Sequence, residues 1–229
     1  MKAETIKIFS MTKKQLLESI EAEAKKYFVD ASGCHDWSHV ERVRALARRI
    51  GKAEGADLFV VEAAALLHDI AKTEEMRAKG GFCHAKEGAK RAQPILERLG
   101  VESETADHIV SCIGTHRKRK GAEPESLEAK ILFDADKLDS IGAVGIARVF
   151  FFAGTIGKKL YSGNEAEHSK DGVDRSYTED DTALLEYELY LKGLKDRMLT
   201  GTGRAIAKER TAYMEDFFRR FWDEVKGRE

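Results

Sequence analysis

The stretch Leu58-Phe-Val-Val-Glu-Ala-Ala-Ala-Leu-Leu-His-Asp-Ile-Ala-Lys72 decides how this chain is read. Between Leu58 and Leu67 it is apolar nearly all round, so as a helix it has no solvent face and belongs at the centre of a helical protein. It then runs straight into His68-Asp69. An imidazole and a carboxylate buried against that much apolar surface need partners. A divalent metal ion supplies one, because neutral imidazole is a common ligand and a carboxylate balances the ion's charge. The pattern predicts a helix over 57–72, a polar, Gly-rich loop over 73–83, and further ligands elsewhere in the chain.

Working outward, residues 12–29 read as an amphipathic helix with Thr12 as its N-cap. Residues 31–39 are small and polar, a loop in which Ser38 caps the next helix, about 38–54. That helix carries Val40, Val43, Ala47 and Ile50 on one face, with His39 one turn before Val43, and ends at Gly55. A helix starts near His84 and runs to about Leu99 with Pro94 inside it, and Gly100 stops it. In 103–116, Ala106, Ile109, Val110 and Ile113 form a stripe that His116 nearly continues. The helix at 126–139 ends in Phe133-Asp-Ala-Asp-Lys-Leu-Asp139. Residues 141–160 are apolar on several faces, a second buried helix or a dimer surface. Residues 161–181 hold seven carboxylates against two basic residues and read as a mobile loop or lid. Helices at about 182–199 and 203–226 close the chain, the last with Met214, Phe217, Phe218, Phe221, Trp222 and Val225 at helical spacing. Nothing alternates with period two. The expectation is an all-α bundle of about ten helices in one domain over 12–229. Its site-bearing core lies at about 30–160, and the helices at 180–226 pack on it.

Composition narrows the class. Of 229 residues 34% are charged, above the usual ~25%, but the signs nearly cancel at net −1, which argues against a general polyanion binder. Cys34, Cys83 and Cys112 form no CxxC pair and cannot all be paired, which suits a reducing cytoplasm. The N-terminal residues show no apolar signal region, and the longest apolar run, Val149–Ala153, is far too short for a bilayer. The expectation is a soluble, cytoplasmic protein with no membrane partner.

His39, His68, Asp69 and Asp136 each sit on or at the end of a helix whose apolar face turns inward. Two imidazoles and two carboxylates can hold one divalent ion with positions left open for water and substrate, the mark of a catalytic site. Mixed nitrogen and oxygen ligation without sulfur favours Mn, Fe, Ni, Co or Zn, with Mg also possible in principle.

With these residues in order, the chain resembles the HD superfamily of metal-dependent phosphohydrolases. His35-Asp-Trp-Ser-His-Val-Glu-Arg-Val43 matches its first-histidine helix. Ala64-Ala-Leu-Leu-His-Asp-Ile-Ala-Lys72 matches the HD helix, and Asp134-Ala-Asp-Lys-Leu-Asp-Ser-Ile-Gly-Ala143 the final-aspartate helix. The segment from Gly145 to Tyr161 looks like the small stand-alone HD hydrolases of bacteria and archaea, and similarity covers roughly 15–225. The resemblance implies the ligand set His39, His68, Asp69 and Asp136, selecting Asp136 over Asp134 and Asp139. Asp139 would support the site from behind or hold Lys137. In related branches a lysine at the position of Lys72 contacts phosphate. Other branches place a water-activating glutamate there, which this sequence lacks, so the general base stays open. Lys137 is the other internal cation, and Arg117, Lys118, Arg119 and Lys120 would meet substrate from the rim. In two-metal branches histidines comparable to His84 and His116 bind a second ion. Here a phosphate or proton role is expected for both, because the carboxylates of a bridged site are not evident in the sequence. His35 would orient or cap the loop before His39, while His108 and His168 read as surface residues.

The implied activity is hydrolysis of a phosphorylated small molecule, a nucleotide, by metal-activated water. Nucleoside triphosphate pyrophosphohydrolysis is the first choice, followed by nucleoside 5'-monophosphatase and cyclic-nucleotide phosphodiesterase activity. Two readings from other classes stand beside it. One is a ligand-sensing protein with a retained metal site. The other is a nucleic-acid module resting on Arg117–Lys120, which near-zero net charge disfavours.

Overall fold

The computed structural model describes residues 11–31, 33–78, 81–117, 122–173, 175, 178 and 180–228. Among these residues there is no strand and there are eleven α-helices. In chain order they are α1 (Lys13–Lys25), α2 (Trp37–Glu54), α3 (Leu58–Leu67), α4 (Lys72–Arg77), α5 (His84–Arg98), α6 (Ser103–Thr115), α7 (Leu127–Leu138), α8 (Gly142–Thr155), α9 (Glu165–His168), α10 (Ala183–Leu189) and α11 (Gly201–Val225). The all-α expectation holds. Three 3₁₀ turns, Lys26–Phe28, Gly33–His35 and Leu191–Arg197, complete the regular structure.

Helix α3 is the axis. Every residue from Phe59 to Leu67 is buried, and α1, α2, α6 and α7 surround it. Its one charged residue, Glu62, is matched by the Arg44 guanidinium at 2.9 Å, which is how a carboxylate is tolerated there. Asp57 caps its N-terminus, accepting from the Phe59 and Val60 amides. Thr12 caps α1 as predicted, with Gln15 closing a capping box. The cap of α2 is Asp36, not Ser38: its carboxylate accepts from the His39 amide, and the Ser38 hydroxyl turns back onto Asp36 at 2.5 Å. A charged oxygen outcompetes a hydroxyl for the positive end of a helix.

The largest departure from the sequence reading lies at 68–72. The helix predicted over 57–72 stops at Leu67. His68 spends its Nδ1–H on the Ala65 carbonyl at 2.8 Å. The next amides then close tighter turns, Ile70 onto Leu67 and Lys72 onto Asp69. His68 and Asp69 therefore sit in a bend between two helices, and part of the expected 73–83 loop is α4. Gly88 lets α5 approach this bend: a Cβ there would stand 3.3 Å from the His68 carbonyl oxygen.

Helix α7 carries the third piece of the site and also anchors the C-terminal helix. Buried Asp134 accepts from the Leu199 and Thr200 amides and the Thr200 hydroxyl, at 2.8, 2.8 and 2.7 Å. Thr200 in turn caps α11. The contact is so close that a Cβ on Gly203 would fall 2.2 Å from Asp134 Oδ2. Along α8, Val149 and Ala153 face the core and Phe150 packs against Phe217 and Phe221 of α11, while Phe151 is exposed. Part of the acidic 161–181 segment is pinned: buried Glu165 accepts from the Ser162 and Gly163 amides and the Thr182 hydroxyl. No single helix among the described residues is long and apolar enough to cross a membrane.

Candidate metal centre

Two helix ends and one bend converge on a buried cluster of imidazoles and carboxylates. His39 comes from the first turn of α2, His68 and Asp69 from the α3–α4 bend, and Asp136 from the last turn of α7. His39 Nε2 lies 3.5 Å from Asp136 Oδ1 and 3.6 Å from Asp69 Oδ2. His68 Nε2 lies 3.3 Å from His39 Nε2 and 3.7 Å from Asp69 Oδ2. The four residues the sequence singled out as ligands are thus brought together.

The hydrogen bonds behind these rings fix what the rings offer. His39 donates its Nδ1–H to Asp139 at 2.7 Å, and His68 donates its own to the Ala65 carbonyl. With the proton on Nδ1, each Nε2 carries a bare lone pair, and the two lone pairs face one another. Two acceptors 3.3 Å apart repel unless a cation or a proton lies between them. The donor set, two neutral nitrogens with two carboxylates, fits a divalent transition ion.

A second group adjoins the first through Asp69. His84, the first residue of α5, and His116, directly after α6, present Nε2 atoms 3.2 Å apart. Their Nδ1 atoms are engaged with Glu75 at 2.7 Å and with the Ile113 carbonyl at 2.7 Å. Asp69 Oδ1 stands 3.1 Å from His84 and 3.8 Å from His116, while its Oδ2 faces His39, His68 and His35. A carboxylate with one oxygen toward each pair of imidazoles is the bridging arrangement that the sequence did not reveal. Among the described residues three overlapping sets, His39–His68–Asp136, Asp69–His84–His116 and His35–His39–Asp69, are each able to enclose an ion.

The electrostatics follow from burial and charge. Burial works to protonate Asp69, but a proton on the facing imidazoles, His68 first and then His35 and His84, holds it well below the usual carboxylate range. Lys137, 2.8 Å away, does the same for Asp136 against a similar burial penalty. Burial, with His68 and His84 nearby, pushes His116 down to about 3. Neutral at pH 7, His116 offers a lone pair through Nε2. Burial likewise takes His35 to about 4.

Further side chains complete the surroundings. Asp139 accepts from His39 Nδ1, while the Lys137 amine goes to Asp136. Asp139 is itself held by Arg42 through Nε at 2.7 Å and by Arg148 through Nη1 at 2.5 Å. Buried Glu75 receives Lys72 at 2.8 Å, Arg117 at 2.5 Å and His84. Although burial works to raise it, Lys72 and His84 keep Glu75 at about 2. Lys72 and Arg117, expected to face phosphate, thus share their charge with a carboxylate behind His84. Lys118, Arg119 and Lys120 lie outside the described residues. Arg148 had left a signal, as a lone charge on the apolar face sequence of α8. Glu75 left none, because beside Lys72 of its own helix its partners are His84 at the start of α5 and Arg117 just past α6.

Beside the cluster a cavity of about 210 Å³ opens between α8 and α10, lined among others by His35, Arg148, Phe152, Lys158, Glu186 and Tyr190.

Comparison with known proteins agrees with this geometry. The HD domain family model matches residues 36–141, the span from the cap of α2 to just past Asp139. The Bacillus subtilis protein YpgQ is 36% identical over 214 residues, covering 92% of this chain and 94% of YpgQ. The crystal structure of B. subtilis YpgQ in complex with ADP superposes with a TM-score of 0.72 at 31% identity, over 93% of this chain and 97% of that one. An HD-superfamily hydrolase from Bacillus thuringiensis gives a TM-score of 0.72 at 31% identity, over 94% and 99%. With its histidines and aspartates gathered at the matched helix ends, this chain belongs to the HD superfamily of hydrolases.

Proposed function

We propose that the chain is a divalent-metal-dependent nucleoside triphosphate pyrophosphohydrolase. Its metal ligands would be His39, His68, Asp69 and Asp136. The observation that carries the proposal is the meeting of bare Nε2 lone pairs on the two faces of Asp69. No protein donor among the described residues lies between them. An ion held there would supply a water acidic enough to act as hydroxide near pH 7, and a Lewis acid for phosphoryl oxygens.

The chain's own groups do the rest. Asp139, clamped by Arg42 and Arg148, keeps the His39 proton on Nδ1 and the ring in place. Lys137 holds Asp136 ionised and contributes positive charge where phosphate oxygens would lie. Lys72 and Arg117 position Glu75, which orients His84. The nucleotide assignment draws support from a relative, since YpgQ has been crystallised with ADP. Cleavage between the α and β phosphates is our choice among hydrolytic outcomes.

A second reading places a second ion at Asp69, His84 and His116. It is favoured by the 3.2 Å approach of two lone pairs with no proton assigned between them and by the spare oxygen of Asp69. The number of ions bound per chain distinguishes the two.

The test is product identification on a nucleotide panel with Mn²⁺, Co²⁺, Ni²⁺ and Mg²⁺. Monophosphate plus pyrophosphate is expected. Diphosphate plus phosphate would move the cleavage site. No turnover with any metal would favour a sensing protein.

A further inference from the structure

The cavity between α8 and α10 holds a carboxylate that the site described above does not use. It adjoins the cluster through His35, which lines the cavity and stands 3.5 Å from Asp69 Oδ2. Most of its wall is apolar: Val149, Phe152, Ala153, Ala183 and Leu191, with the Tyr190 ring. Pockets for drug-sized ligands start at about 300 Å³. A volume of about 210 Å³ therefore suits one planar ring system, with the phosphates left outside at the metal centre.

Three charged groups enter this space, and two of them are satisfied. Arg148 gives Nη1 to Asp139 at 2.5 Å. Lys158 gives its ammonium to Asp181 at 2.5 Å and lies over the Phe152 ring, 5.8 Å from its centre. The third is Glu186, on the turn of α10 that faces the cavity. Its carboxylate accepts no hydrogen bond from the described residues. The residue is exposed to solvent, and the apolar wall beside it raises its carboxyl above the usual carboxylate range. Its oxygens are open to a ligand that enters the cavity.

We propose that this cavity receives the base of the nucleotide and that Glu186 is the specificity-determining residue, selecting bases that carry an exocyclic amino group. The inference rests on the nucleotide reading above. An ionised carboxylate only accepts hydrogen bonds. Adenine, guanine and cytosine offer it an amino N–H. Uracil and thymine offer a single ring N–H flanked by two carbonyl oxygens, which the carboxylate repels. A site that hydrogen-bonds a substrate N–H rejects analogues lacking it by up to 10⁴–10⁵-fold when fully dry. Because water reaches Glu186, the expected discrimination is smaller, roughly 10–100-fold in kcat/KM against UTP, expressed mainly in KM.

The experiment measures kcat/KM for ATP, GTP, CTP and UTP with Mn²⁺ on the wild type, Glu186→Leu and Glu186→Gln, with circular dichroism to check that each variant is folded. In the wild type UTP should be the poorest substrate. Glu186→Leu should bring the four within about threefold of one another by losing the amino-bearing substrates. Glu186→Gln, which can donate as well as accept, should raise UTP relative to the others. Turnover of all four with ratios unchanged by Glu186→Leu would overturn this inference and leave the phosphohydrolase reading standing. Absence of turnover for every nucleotide in the wild type would overturn both.

Discussion

Replacing Asp139 by Asn separates the ligand role from the orienting role on one helix. The native carboxylate accepts from His39 Nδ1 at 2.7 Å, from Arg42 Nε at 2.7 Å and Nη2 at 3.0 Å, and from Arg148 Nη1. Asparagine has the same shape but only one accepting atom. Either its amide nitrogen meets the His39 N–H, donor against donor, or it meets the guanidinium groups. In both cases the charge that fixes the imidazole is gone. Partners of this kind are worth about 10–100-fold in metal affinity, or roughly 1.4–2.7 kcal/mol. The freed guanidinium groups add a cost in stability. Arg42 remains about a third exposed and can rehydrate, so the loss should stay below the ~3–5 kcal/mol of a fully buried broken pair. For a chain of this length about 1–3 kcal/mol lowers Tm by roughly 2–10 °C. Isothermal titration with Mn²⁺ at a temperature where the variant is folded gives the affinity, and a thermal melt gives the rest. Native Mn²⁺ affinity in a folded Asp139→Asn would refute the view that Asp139 orients His39 for a metal.

Two neighbouring predictions follow from the same geometry. Asp134→Ala should leave the Leu199 and Thr200 amides and the Thr200 hydroxyl without their acceptor. At about 1–3 kcal/mol for each unsatisfied buried group, a loss of roughly 3–5 kcal/mol is expected by urea titration, while the folded fraction binds Mn²⁺ as the wild type does. Glu75, held at about 2 against an ordinary 4.5, contributes stability that is present above pH about 4.5 and lost as pH falls toward 2, since the unfolded chain takes up the proton first. Unfolding free energies between pH 6 and 3 should fall less steeply in Glu75→Gln than in the wild type; equal slopes would mean that folding does not lower the Glu75 pKa.

What was legible in the sequence was whatever one helix carries by itself. The apolar circumference of 58–67 placed α3 at the centre, the Thr12 cap of α1 is local, and His39 one turn before Val43 had to face the core. The three aspartates of α7 could be told apart only by resemblance, yet they do three different things: Asp134 anchors α11, Asp136 faces His39, and Asp139 holds His39 from behind. The bend at 68–72 was not legible because it depends on where His68 spends its Nδ1–H. Glu75 and the bridging position of Asp69 were hidden for a related reason. Beside its near neighbour Lys72 the first depends on His84 and Arg117, and beside its neighbour His68 the second depends on His39, His84 and His116; these distant residues meet only when the ends of α2, α5 and α6 come together at the bend. The inward turn of Arg117 onto Glu75 follows from the same closure, whereas Lys72 reaches the same carboxylate three residues along α4.

Asp69 is the residue on which both imidazole pairs depend. The most direct test is the metal content of wild type and Asp69→Ala after loading with Mn²⁺ and desalting, measured by elemental analysis per mole of folded chain. Stoichiometric metal in the wild type and its loss in Asp69→Ala is the predicted result. An Asp69→Ala protein that retains metal at the wild-type ratio would contradict the assignment of this cluster as the metal centre.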